Sequence, residues 1–194
     1  MKIVELAVEN VDAKKLLKDS KMEYVRSLMD AGWHGPLKDA AAFDSDFWSH
    51  LDQAAQQVVA IGVGEMEKLA QPGWSAARIR LSDSVPSKVD DQVGAMLEHL
   101  DHETIVLMRV IPGANPAFVL AGPHLPPVGA IKAGMEARDL TATLLELLGL
   151  DPALAAPGRS LVAGSGSSSD SGAMSGEDEE AIVRERLMGL GYLG

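Results

Sequence analysis

Apolar residues in this chain follow two rhythms, one suited to strands and one to helices. Lys2–Val8, KIVELAV, is apolar at Ile3, Val4, Leu6 and Val8 and is interrupted by Glu5. Such a run suits a strand covered on both faces of a sheet. Val58–Val63 and Thr104–Val110 read the same way, and Ala117–Ala121 is a shorter apolar run stopped by Gly122-Pro123. Trp74–Leu81 alternates, with Arg78 and Arg80 turned outward, and reads as an edge strand. Strands are therefore expected at 2–8, 57–63, 75–81, 104–110 and 117–121.

The second rhythm has helical spacing. Met22, Val25, Leu28 and Met29 share one face, closed by Gly32. Val89, Val93, Met96, Leu97 and Leu100 form another, and Leu140, Leu144, Leu147 and Leu148 a third. The i, i+4, i+7, i+8 spacing of that third set is the face of a buried helix. Asp139 suits its N-cap and Gly149 its C′ position. Glu65–Ala70 reads as a short helix stopped by Gln71-Pro72-Gly73. Strands that alternate with helices imply an α/β fold of three layers. The sheet is expected to be mostly parallel, with about five strands and helices on both faces.

Residues 1–162 are expected to form one such domain. Residues 163–176 are rich in Gly and Ser without apolar periodicity, the composition of a flexible linker. Residues 177–194 are expected to carry a tail helix. Ser175 and Asp178 suggest a capping box there, and Val183, Leu187 and Leu190 an apolar stripe. The acidic run Glu177–Glu180 has the favourable sign for a helix N-terminus.

Composition narrows the function classes. The formal net charge is −11 over 194 residues. Nucleic acid and anionic membrane both demand a basic face, so neither is expected as a partner. The absence of Cys excludes disulfides, thiolate catalysis and Cys-ligated metal. Met1–Val8 carries Glu5 and is too short for a signal sequence, and no apolar run reaches a membrane-spanning length. A soluble, cytoplasmic protein is the expectation.

Several segments resemble the alkaline phosphatase superfamily, in its type I phosphodiesterase/nucleotide pyrophosphatase and sulfatase-like branch. The C-terminal part carries most of this. Phe118-Val119-Leu120-Ala121-Gly122-Pro123 is similar to the family's strand ending in Gly-Pro. Asp139–Leu150 and Gly158-Arg159-Ser160-Leu161 are similar to its "DltpTLLeLLGlp…GrSL", with Ala142 at the frequent Pro. Lys21–Gly32 resembles "gkmPnlrrLmeeG", and Val89–Leu100 resembles the "lDrqvGrlLe.L" helix. Glu180–Leu193 is similar to the "eeeirerLraLGYl" ending of many members. The resemblance implies the family's α/β fold, and active members are usually much longer than this chain.

It also says where catalytic groups should stand, and there the chain departs. After the strand 104–110 the family reads "SDHG", whose Asp and His bind metal; this chain has Val110, Ile111, Pro112 and Gly113. Neither Ile nor Pro offers a lone pair. Glu9 falls at the position of the first metal-binding Asp. The family's Thr or Ser nucleophile stands at a helix N-terminus, where amides and dipole favour phosphate. Two alignments of that region are open. One places Asp44 at the nucleophile position. The other, preferred, matches Phe47–Val63 to a later helix and strand and leaves the nucleophile segment out. Ser45 remains a nucleophile by type only; flanked by Asp44 and Asp46, it reads better as a helix N-cap. His99 and His102 are spaced i, i+3 as a helical metal pair would be. They lie near a helix end, where a cation is favourable anyway. His124 reads as a turn residue and His34 has no assigned role.

No catalytic or cofactor-binding residue is therefore assigned, and the balance leans against an enzyme. The first reading is a catalytically inactive relative that acts by binding or as a subunit. Its contact would be a protein partner or a second copy, through the open active-site rim or the tail helix. The alternative is a residual phosphoric ester hydrolase, with Glu9, Asp12, Asp44 and Asp46 converging on zinc or manganese; no cofactor is expected otherwise. A third reading is an eroded fragment without independent function.

Overall fold

The computed structural model describes residues 1–53, 56–111, 115–123, 125, 129–132, 134–151 and 158–162, without the side chains of 41, 42, 44–46 and 53. The expected linker and tail helix, and His124, lie outside these residues.

Chain order is β1 (Lys2–Val8), α1 (Ala13–Lys18), α2 (Glu23–Ala31), β2 (Gly32–Lys38), α3 (Ala40–Gln53) and β3 (Val58–Ile61). A 3-10 segment (Val63–Ala70) leads to β4 (Ala76–Leu81), α4 (Pro86–Leu97), β5 (Thr104–Val110) and β6 (Ala117–Ala121). Two short strands, β7 (Gly129–Ala130) and β8 (Met135–Glu136), precede α5 (Ala137–Leu147). The sheet has eight strands among the described residues, in the order β3-β4-β1-β5-β6-β2-β7, and β8 also pairs with β2. β3, β4, β1 and β5 run parallel, while β6 is antiparallel to both β5 and β2.

The α/β, mostly parallel architecture is as expected, and three differences have physical causes. The segment 75–81 is not an edge strand: β4 lies between β3 and β1, and Arg78 is drawn inward by a charge partner described below. Only Arg80 is exposed as expected. The strand expected at 57–63 is shorter, because Val63 already begins the 3-10 segment. β2 was not among the five expected strands, although Trp33–Asp39 resembles a strand entry of the family and Gly32 reads as the close of the helix before it. In the fold Gly32 and Gly35 permit close approach. A Cβ on Gly32 would sit 2.0 Å from the Leu120 carbonyl oxygen, and one on Gly35 2.4 Å from that of Ile131.

Alternation along each strand divides the core into two layers. Val4, Leu6 and Val8 of β1 face α1, α2, α4 and the 3-10 segment, with Leu16, Val25, Leu28, Val89, Val93 and Met96. Ile3 of β1 faces the opposite layer, with Phe43, Phe47 and Leu51 of α3 and Leu140, Leu144 and Leu145 of α5. Each buried Leu or Phe side chain contributes about 1.5–3 kcal/mol by leaving water.

Two helix ends differ from expectation. The N-cap of α5 is Glu136; Asp139 lies in the first turn, where its negative charge suits the dipole. There Asp139 Oδ1 accepts from the Arg159 amide (2.8 Å), and Thr143 Oγ1 accepts from the Leu161 amide (3.1 Å). The Gly-Arg-Ser-Leu segment is thereby strapped along α5. Gly149 closes this helix with φ 74°, as the sequence implied. Ser45 is not an N-cap: α3 begins at Ala40, so Ser45 lies inside it.

Candidate functional site at the C-terminal edge of the sheet

In open α/β sheets, ligands gather beyond the carboxyl ends of the parallel strands. Here that edge carries Glu9 after β1, Ser82 after β4 and Ile111 after β5. The Glu9 amide donates to the Leu81 carbonyl (2.7 Å) and the Ile111 amide to that of Val8 (2.9 Å). Because β6 is antiparallel to β5 and β2, the end of β2 reaches the same edge. The N-terminus of α3 therefore arrives there too, after Asp39 in the left-handed region (φ 52°).

The sequence-derived candidates meet different fates. Glu9 is half-buried at this edge, beside Asn10, whose φ is 66° and whose Nδ2 donates to the Ser82 carbonyl at 3.3 Å. Asp12 is the N-cap of α1, accepting from the Lys15 amide at 2.9 Å, so its carboxylate already has a structural duty. Asp44 and Asp46 lie in the early turns of α3, and their side chains are outside the described residues. Pro112 and Gly113 are outside them as well; Val110 is 2% exposed in the core at the end of β5. Among the described residues no group of three or more His, Asp and Glu could hold a metal ion. Of the described side chains at this edge, Glu9 offers one carboxylate, Val110 and Ile111 offer no ligand atom, and Asp12 is engaged as a cap, a set that does not fit the metal centre the resemblance implies.

His99 and His102 do not form a helical pair, because α4 ends at Leu97 and both histidines lie in the turn beyond it. That turn is organised by Asp101, which accepts from Lys2 Nζ (3.1 Å) and Thr104 Oγ1 (2.6 Å). The Thr104 hydroxyl and then Lys2 hold the Asp101 carboxyl below the usual range. His34 lies on β2, its Nδ1 buried without a hydrogen-bond partner among the described residues.

Sequence reasoning missed the strongest feature under the edge. Glu5 is fully buried on the α3 side of β1. Its Oε1 accepts from Arg109 of β5, through Nε at 2.6 Å and through Nη2. Its Oε2 accepts from the Trp48 indole N–H of α3 (3.0 Å) and lies 3.1 Å from Arg78 Nε of β4. Arg109 is also fully buried. Its Nη1 donates to the Ala40 carbonyl (3.3 Å), and its guanidinium lies 4.2 Å from the Phe43 ring centre. A charge inside a core demands partners of this quality. The signal was present: a lone carboxylate within one apolar strand, and arginines within two others.

No protein-family model matches the chain, and no curated protein sequence does. A solved structure does match: murine ectonucleotide pyrophosphatase/phosphodiesterase 5, with a TM-score of 0.61, over 81% of this chain and 97% of that one. The chain shares the α/β fold of that structure. At 8% sequence identity the likeness concerns the fold and not the chemistry. In this phosphodiesterase-like fold the edge just described is formed by β1, β5 and the start of α3. These are the segments in which the sequence resemblance places a metal ligand, the Asp-His motif and, under one alignment, the nucleophile.

Proposed function

We propose that this chain is a phosphodiesterase-like domain that acts by binding, as a subunit or regulatory partner, and not by hydrolysis. The observation that carries this reading is the end of β5. Arg109, Val110 and Ile111 occupy it, with Arg109 bonded inward to Glu5 and to the start of α3. A buried guanidinium beneath the edge is the wrong charge for a divalent cation. Two-metal hydrolysis needs ions to activate the nucleophile and neutralise the phosphoryl oxygens. The rim also carries exposed apolar side chains: Val63 (39%) after β3 and Val85 (42%) after β4. These suit a protein surface better than a phosphate. The tail 177–194, joined through the linker 163–176, supplies the second contact. The setting is cytoplasmic, in keeping with the cysteine-free, acidic sequence. Among the described residues, no helix is long and apolar enough to cross a membrane.

The test is an assay with bis-p-nitrophenyl phosphate and nucleotide substrates, with zinc or manganese added. The expected result is turnover no greater than in the protein-free blank. Turnover abolished by Glu9→Ala would instead establish the residual hydrolase with its acidic cluster. The binding half is checked by affinity capture with wild type and with Val63→Asp/Val85→Asp. A specific partner should be held by the first and released by the second.

A further inference from the structure

The Glu5 cluster does more than neutralise a buried charge. It joins three neighbouring strands to a helix of the covering layer: Glu5 from β1, Arg78 from β4, Arg109 from β5 and Trp48 from α3. Its two bonds to α3 fall at separate points. Arg109 holds the carbonyl of Ala40, the first residue of the helix, and Glu5 holds the indole of Trp48, about two turns on. Phe43, Phe47 and Leu51 of α3 add apolar contact with the sheet and α5, and the Arg109 guanidinium lies over the Phe43 ring. Apolar contact is non-directional and permits a helix to rotate or slide with little loss. Hydrogen bonds to buried charged groups are directional and resist this, because displacing Trp48 or the Ala40 carbonyl leaves buried polar groups with one partner fewer.

We infer that the Glu5–Arg109–Trp48 network is a latch that sets the position of α3, and with it the place of the helix N-terminus at the C-terminal edge. Glu5 is thus a positioning residue, whatever binds at that edge. The opposite layer has its own separate tie, with Asp90 Oδ1 of α4 accepting from the Val25 amide of α2 at 2.8 Å. That tie shares no residue with the latch, so α2 and α4 serve as an internal control.

The test is amide hydrogen exchange, read segment by segment, on the full chain and on two variants. Glu5→Gln keeps size and an acceptor oxygen but removes the charge. Trp48→Phe removes one donor and leaves Glu5 with both arginines. In Glu5→Gln the α3 amides should exchange at least about tenfold faster, while α4 changes less than about twofold. Trp48→Phe should show the same selectivity at about threefold or more. Substitution with 5-fluorotryptophan supplies a second readout. The fluorine resonance that disappears in Trp48→Phe should shift and broaden in Glu5→Gln, while those of Trp33 and Trp74 hold. Equal acceleration in α3 and α4 would mean a mere fall in global stability and would overturn the latch. Unchanged exchange in α3 would do the same. Should Glu5→Gln fail to fold, the milder Trp48→Phe decides alone.

Discussion

At the scale of single residues, this fold is held by a few buried polar side chains that each serve a backbone group or a charge. Asp90 is 5% exposed and takes up the Val25 amide, in the first turn of α2, where Met22 offers no side-chain cap. Asp90→Ala should therefore leave an orphaned buried amide and cost about 1–2 kcal/mol. Urea unfolding measures this, and an effect under a few tenths would show that water serves the amide equally well. Glu5 illustrates why such residues are hard to read from a sequence. As a letter in KIVELAV it looks like an interruption, and Arg78 looks solvent-facing. Only the register that sets Glu5 opposite Arg78 on β4, with Arg109 one step along the same face of β5, reveals them as partners. Registers between strands that are 70 or more residues apart leave no local trace.

At the scale of elements, continuous apolar runs were legible and compromise segments were not. β1, β5 and β6 lie where Lys2–Val8, Thr104–Val110 and Ala117–Ala121 promised, because strands buried on both faces announce themselves. The helical faces of α2, α4 and α5 were equally plain. β2 was hidden because its residues are chosen for close approach and not for strand propensity. Gly32→Ala tests that account. With a Cβ 2.0 Å from the Leu120 carbonyl oxygen, β2 and β6 must separate, at a cost of about 1–3 kcal/mol in thermal or urea unfolding. A neutral substitution would mean that the β2–β6 pairing is looser than this register implies. The candidate site was legible chiefly by its position. The resemblance put Glu9 and the 110–113 segment at one edge, and the fold brings Glu9, Ile111 and the start of α3 there. The underlying ion network was signalled only by its residue types, since the pairing of Glu5 with Arg78 and Arg109 depends on strand register.

At the scale of the whole molecule, the two edges of the sheet differ in character. The edge where β1 and β5 begin is closed by polar bonds, with Asp101 joining Lys2 to Thr104. Its carboxyl is held below the usual range in the folded chain, so unfolding takes up a proton at low pH. Its stabilising effect is complete above about pH 4 and fades as the pH falls through the lowered folded value. Asp101→Asn should lower stability at neutral pH by no more than about 1 kcal/mol, as befits a half-exposed pair, and should flatten the acid limb of stability against pH. An unchanged acid limb would remove Asp101 from that account. The opposite edge, where the phosphodiesterase-like fold would work, ends in Val110 and Ile111 above a buried arginine. We propose that this edge binds its partner without a metal. This is tested most directly by the metal content of the purified chain, after equilibration with zinc and manganese and then desalting. Far less than one metal per chain is expected, unaltered by Glu9→Ala and Asp44→Ala. Near-stoichiometric metal, lost in those variants, would contradict it and return the protein to the hydrolases.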